Sequence, residues 1–243
     1  PQQSPKILAQ RWQPLIDYLS AETGFTVVFE TASTIPEFEN RIAEGRYDVV
    51  YMNSFHFIMF HDAKGYRALA RESGHKIKGV IVVHRDSQFQ SAHELNGLPV
   101  AFPSPAAFAA SIVPRAELNK LGVRIKPQYV FSHDSVYLNV SRGFFPAGGG
   151  IAKTLHSASE EVQQNLRVIW ESREFTSHAL ATHPRVSDNV RQAITESLVN
   201  LNRENNRAHV LGTLQFNGFE IATDSDWNDV RALGIESLAR PQY

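Results

Sequence analysis

The chain reads as an α/β protein built on an open sheet, and three observations predict it. Short apolar runs rich in β-branched and aromatic residues alternate with segments of helical spacing, and glycines fall where those helical segments end. Polar clusters also follow directly on strands at three places, after Met52, after Phe102 and after Phe131. Open α/β sheets hold their ligands beyond the carboxyl ends of strands, so the three clusters mark where a site is to be sought.

Taken in order, residues 6–23 carry Ile7, Leu8, Leu15, Ile16 and Leu19 at mainly helical spacing, and Gly24 stops the helix. Pro14 lies inside this run, and a break or kink is expected there because proline gives no amide proton. Phe25–Phe29 is a strand by content, and Ile35–Glu44 a short helix ending at Gly45. Tyr47–Met52 is nearly all apolar, as in a strand covered on both faces. Lys78–His84 is the next strand, followed by a polar link and a short helix around Ala92–Leu95. Leu98–Phe102 is a strand, and Ala107–Leu121 a helix closed by Gly122. Gln128–Phe131 is a strand with a helix from Ser135 to Arg142 behind it. Gly148-Gly149-Gly150 interrupts the pattern and reads as a flexible turn near a hinge. Arg167–Trp170 resumes as a strand, Thr176–Thr182 is extended, Asp188–Asn202 is a strongly periodic helix, and a last helical stretch lies near Asp226–Leu233. There is no internal repeat and no low-complexity segment.

The 243 residues suffice for two modest lobes or one large domain. No apolar run approaches the ~20 residues that a membrane-spanning helix needs. With 24 basic and 25 acidic residues spread along the chain, net charge is −1, which argues against a nucleic-acid footprint. Any anion site must therefore be local, made from dipoles and one or two side chains. The absence of cysteine excludes disulfides, zinc–thiolate sites and thiol nucleophiles, and is neutral about compartment. The turn-like opening Pro1-Gln2-Gln3-Ser4-Pro5 has no strand before it, so a leader and a first strand are expected to have been removed or to lie outside the sequence.

The segment Phe131–Gly143 is the most informative stretch. A strand ends in polar residues and turns straight into a helix that Ser132, Asp134 or Ser135 can cap, with His133 beside its free amides. Such a helix start offers unpaired N–H donors and partial positive charge to an anion. A second start lies at Pro103-Ser104-Pro105, leading into Ala106–Ser111, where Ser104 and Ser111 read as local caps and Phe108 more readily as core than as pocket wall. Tyr51 and Asn53 end a strand, and ligand contact and plain loop polarity remain equal readings for them. The glycine triplet lacks the Lys-Ser/Thr of a nucleotide loop. Ser132-His133-Asp134-Ser135 holds the letters of a hydrolase triad, but sequence neighbours cannot orient one another as nucleophile, base and orienter. His56 and His61, five apart, share no helix face, so no metal site is predicted.

Several motifs occur together in one order: Pro1–Pro5, Gly45–Val49, the strand Val80–Asp86, Leu95–Phe102 and Ser132–Val136. In this the chain resembles the periplasmic binding proteins of phosphate, phosphite and phosphonate ABC importers, a two-lobed type II fold. The resemblance implies one lobe from residues 1–80 and 178–243 and a second from 81–177, with crossings near Val80–Arg85 and Thr176–His183. It implies that His133 and Tyr51 grip the anion. The family's Ser-Thr-Ser turn aligns with Ala107, Phe108 and Ala109, which removes hydroxyl contacts worth roughly 1.5–3 kcal/mol each when charge-assisted. The acidic residues that would hold an amine align with Pro146 and His178. A smaller, less charged or different oxyanion is expected, or a ligand with an apolar part facing Phe108. The implied partners are the small ligand and an ABC permease, in the periplasm or on a lipid anchor, with no cofactor, nucleic acid or membrane span. The alternative is a ligand sensor for a membrane histidine kinase. An enzyme on the same fold would need a second titratable group near His133, for which only His178 offers.

Overall fold

The computed structural model describes residues 5–203 and 207–235. The opening turn at Pro1–Ser4 lies outside the described residues. Close packing divides the chain into two units, Pro1–His75 with Thr176–Asn228 and Lys76–Phe175 with Asp229–Tyr243.

The first unit opens with α1 (Pro5–Thr23), which buries Leu15, Tyr18 and Leu19. The break expected at Pro14 does not occur, and the helix runs through it. Burial of this face supplies what the missing hydrogen bond takes away. Residues 25–29 are not a strand: the segment joins no ladder, and Ser20 Oγ accepts from the Val27 amide at 3.1 Å instead. β-Propensity makes a strand only where a neighbouring backbone offers partners. Helix α2 (Ile35–Ala43) is capped by Thr34, whose hydroxyl accepts from the Glu37 amide. Strand β1 (Val49–Met52) leads into α3 (Ser54–Lys64), a helix the sequence pattern hides because Phe55, His56, Phe57, Ile58 and Phe60 are all buried and leave no apolar stripe. Strand β2 (Arg67–Glu72) follows.

The second unit contains β3 (Lys76–Ile77), β4 (Gly79–His84), a 3-10 turn at Ala92–Leu95 and β5 (Pro99–Phe102). A π-helical turn, Phe108–Ile112, opens α4 (Val113–Lys120), where a regular helix from Ala107 was expected. Then come β6 (Lys126–Tyr129), α5 (His133–Ser141), β7 (Ala147–Ile151), α6 (Ala152–His156), α7 (Glu160–Gln164), β8 (Leu166–Glu171) and β9 (Phe175–Thr176). The chain returns through β10 (Ala179–Thr182), α8 (Asp188–Leu201), α9 (Arg207–Leu214), β11 (Phe219–Ile221) and α10 (Asn228–Arg231).

One sheet has the antiparallel order β1-β10-β2-β11, and β3 pairs with β9. The other is mixed, β6-β5-β7-β4-β8, with β5 parallel to both β6 and β7. It is covered on both faces. Ile81, Val83, Val100 and Phe102 pack with Leu95, Leu118 and Val123, while Val80, Val82 and Ala101 pack with Val136, Tyr137 and Val140 of α5.

The glycine triplet is the clearest correction. Gly148, Gly149 and Gly150 are not a hinge turn but the buried middle of β7, between β5 and β4. A Cβ on Gly149 would lie 2.2 Å from the Ala110 carbonyl oxygen, one on Gly148 2.5 Å from Val136 Cγ1, and one on Gly150 2.1 Å from the Tyr137 hydroxyl. Gly79 of β4 meets the Ala109 carbonyl oxygen in the same way, at 2.1 Å. Glycine is required because side chains of α5 and carbonyls of the Phe108–Ile112 turn lie directly on the backbone of these strands.

Candidate functional site

Strands β5 and β6 are parallel neighbours with Phe102 opposite Tyr129, so the chain leaves both at the same end of the sheet. One exit leads to the turn at residues 103–112 and the other to α5, which brings both predicted anion-receiving segments to adjacent carboxyl ends.

At α5 the cap is Ser132, whose Oγ accepts from the Ser135 amide at 3.0 Å and donates to Ser135 Oγ at 2.9 Å. The Ser132 carbonyl takes the Val136 amide, so His133 and Asp134 carry the first-turn amides for which a helix has no internal acceptor. Asp134 is exposed, and Ser135 is half-buried. The His133 ring lies 3.3 Å through Nδ1 from Thr154 Oγ1, which is 2.7 Å from the Tyr137 hydroxyl. That hydroxyl donates to the Ile151 carbonyl at 3.0 Å and accepts from its amide at 3.1 Å. Loss of solvent around the ring pushes the His133 pKa down to about 4, so the imidazole is neutral at pH 7. The same cause raises the Tyr137 phenol to about 12. His133 is therefore a neutral donor or acceptor here, without the partial positive charge that a histidine of ordinary pKa carries near neutral pH. Sequence reasoning missed Thr154 and Tyr137, since nothing in their spacing marks them. Only the pairing of β7 with its neighbours carries Ile151 and Thr154 beneath α5.

At the other start, Ala107 takes the cap position without a side-chain bond, and its carbonyl accepts the amides of both Ser111 and Ile112. The amides of Phe108, Ala109 and Ala110 precede that first closure. Phe108 is 2% exposed and stands edge-on to Phe175 at 5.5 Å between ring centroids, so it is core. Ser104 and Ser111 do not cap: both hydroxyl oxygens are buried with no hydrogen-bond partner among the described residues.

In the first unit, Asn53 Oδ1 accepts the His56 amide at 2.8 Å and caps α3. Tyr51 stacks on His178, with ring centroids 5.1 Å apart and planes 16° from parallel. Burial, with the charge of Glu72 second, pushes the Tyr51 phenol far up, so it stays neutral. Trp12 and Phe216 complete this aromatic group, at 4.8 and 5.7 Å from Tyr51, and neither was singled out from sequence. The structure thus places Ser132, His133, Asp134 and Ser135 on one helix start, Ser104, Ala107, Phe108 and Ala109 on its neighbour, and Tyr51, Asn53 and His178 together in the other unit.

The family described as ABC transporter, phosphonate, periplasmic substrate-binding protein matches residues 1–227. The chain belongs to this family. Its fold is that of known relatives. A methylphosphonate complex of PhnD1 from Prochlorococcus marinus superposes with a TM-score of 0.86 at 17% identity, over 96% of this chain and 94% of that one. A binding protein component of an ABC phosphonate transporter from Pseudomonas aeruginosa gives 0.83 at 18% identity, over 96% and 82%. A Xanthomonas citri protein bound to chloride ion gives 0.81 at 14% identity, over 94% and 92%. This phosphonate-family binding protein thus has the two-lobed periplasmic architecture, and no helix among its described residues is long and apolar enough to cross a membrane.

Proposed function

We propose that the protein is the extracytoplasmic receptor of an ABC importer and binds a small oxyanion, phosphonate- or phosphate-like, at the starts of α4 and α5. The observation that carries this reading is the pair of helix starts at neighbouring parallel strand ends, one of them with a half-buried, neutral His133 beside free amides. Amides and a neutral imidazole recognise an anion by oriented dipoles, at no cost of a buried charge when the site is empty. The family relationship and the methylphosphonate held by a relative of the same fold support it.

The hydroxyl-free turn at Ala107, Phe108 and Ala109 points to an anion with fewer oxygens to satisfy than phosphate. The lobes would be residues 1 to about 80 with about 178 to 243, and the part between. Of the partners weighed, the permease follows from the family. A catalytic role gains no support at His133, whose pKa shift has burial as its only cause. Titration calorimetry with phosphate, phosphite, methylphosphonate, sulfate and arsenate tests the reading. A saturable heat with one of them is expected, and no heat or thermal shift with any would sink it.

A further inference from the structure

We propose that Thr154 and Tyr137 fix the proton of the His133 ring on Nδ1, so that Nε2 presents a lone pair to the ligand and the site selects an oxyanion that keeps one proton of its own. The proposal deepens the reading above and rests on it for the place of the anion. The state of the ring can be tested without any ligand.

The hydrogen bonds beside α5 leave the ring little choice. The Tyr137 hydroxyl is 2.7 Å from Thr154 Oγ1, and both oxygens lie 3.0 Å from the Ile151 carbonyl oxygen. The Ile151 amide donates to the Tyr137 oxygen at 3.1 Å. If Tyr137 donates to the Ile151 carbonyl, the Thr154 hydrogen must fill the short contact between the two hydroxyls, since each hydroxyl has a single hydrogen. If Tyr137 donates to Thr154 instead, the Thr154 hydrogen goes to the Ile151 carbonyl. Either way both hydrogens are used inside this triangle. Thr154 Oγ1 then has only lone pairs to offer His133 Nδ1 at 3.3 Å, and the ring must be the donor. A Thr154 hydroxyl turned toward the ring would give up a 3.0 Å bond to make one of 3.3 Å.

A neutral imidazole carries one N–H, so a proton held on Nδ1 leaves Nε2 an acceptor. The ring is half-buried and Nε2 has no partner among the described residues, which makes it the ring atom left for a ligand. With a pKa of about 4 the ring does not take a second proton near neutrality. A lone pair repels a bare anionic oxygen but accepts a hydrogen bond from a P–OH group, while the first-turn amides of α5 suit the unprotonated oxygens. The ligand class is therefore a singly protonated phosphonate or phosphate. Sulfate and sulfonates, which keep no proton, are disfavoured, because a site built around a hydrogen bond discriminates against the analogue that lacks it.

Nitrogen-15 NMR of the imidazole, assigned with His133→Gln, reads the ring directly. Nδ1 should be protonated and Nε2 bare in the wild-type protein, and an Nε2-protonated ring overturns the proposal. Calorimetry at pH 6 then compares methylphosphonate, which keeps one proton there, with methanesulfonate, which has the same charge and shape and no proton. Methylphosphonate should bind roughly tenfold more tightly or better. Thr154→Val, with folding checked by circular dichroism, should move the ring proton toward Nε2 and remove most of that preference. Thr154→Ser keeps the hydroxyl and should keep both. An unchanged ring and preference in Thr154→Val overturns the positioning role. Equal binding of the two ligands by the wild type overturns the proposal and keeps the oxyanion reading. An Nδ1-protonated ring in a protein that binds no oxyanion upholds the state of the ring and discards the anion reading.

Discussion

At the scale of single residues, His133 shows how a position can be legible while its chemistry is not. Its place at a helix start follows from the order of Ser132, His133, Asp134 and Ser135. Its protonation does not, because the loss of solvent that lowers its pKa to about 4 arises only in the folded chain, which also brings Thr154 from 21 positions away to the ring. The sign of the consequence is clear. Between its unfolded value near 6.5 and about 4 the unfolded chain binds the proton and the folded chain does not, so this contribution to stability is complete above pH 6.5 and is lost as pH falls toward 4. Urea unfolding at pH 7 and pH 4.5 should differ by roughly 1–3 kcal/mol from this group. In His133→Gln that part of the difference should vanish; an unchanged slope would mean the ring is solvated. Ser104 and Ser111 carry a similar lesson. Both look like caps in the sequence, but the π-helical turn uses the Ala107 carbonyl instead.

At the scale of elements, many helices and strands were readable from periodicity and from their glycine stops; β2, α6, α7, α9 and β11 were not read, and three other misreadings trace to the tertiary environment. Residues 25–29 have strand composition but no ladder, and the wholly buried α3 has no stripe to detect. Gly148–Gly150 look like a loop because glycine is the ordinary residue of loops. In β7 they are there for closeness: α5 rests on Gly148 and Gly150, and the Phe108–Ile112 turn on Gly149. The body of α5 and the Phe108–Ile112 turn are therefore both seated on one strand. Gly149→Ala should cost about 2–3 kcal/mol by overpacking, and should weaken anion binding because the turn must lift. Gly212→Ala in α9, where a Cβ meets nothing within 4 Å, is the control and should stabilise by about 0.5–1 kcal/mol. Chemical denaturation of the two variants decides this, and equal midpoints would refute the seating argument.

At the scale of the whole molecule, a ligand that binds only the folded chain adds its binding free energy to stability. Ligand at 100 times its Kd should stabilise the folded protein by about 2.7 kcal/mol, which for a chain of this size raises Tm by roughly 5–10 °C. The fold class and the family were within reach of the sequence, because alternating apolar runs, stop signals and the order of five short motifs are local properties that survive at identities below 20% with the relatives compared. The tertiary structure alone decided which side chains meet. It stacked Tyr51 on His178, drew Trp12 and Phe216 around them, and turned three glycines into a floor for two helices. The physical reason is that strand register and helix seating join residues more than a hundred positions apart, and the free energy of those contacts is written in no local stretch of the chain.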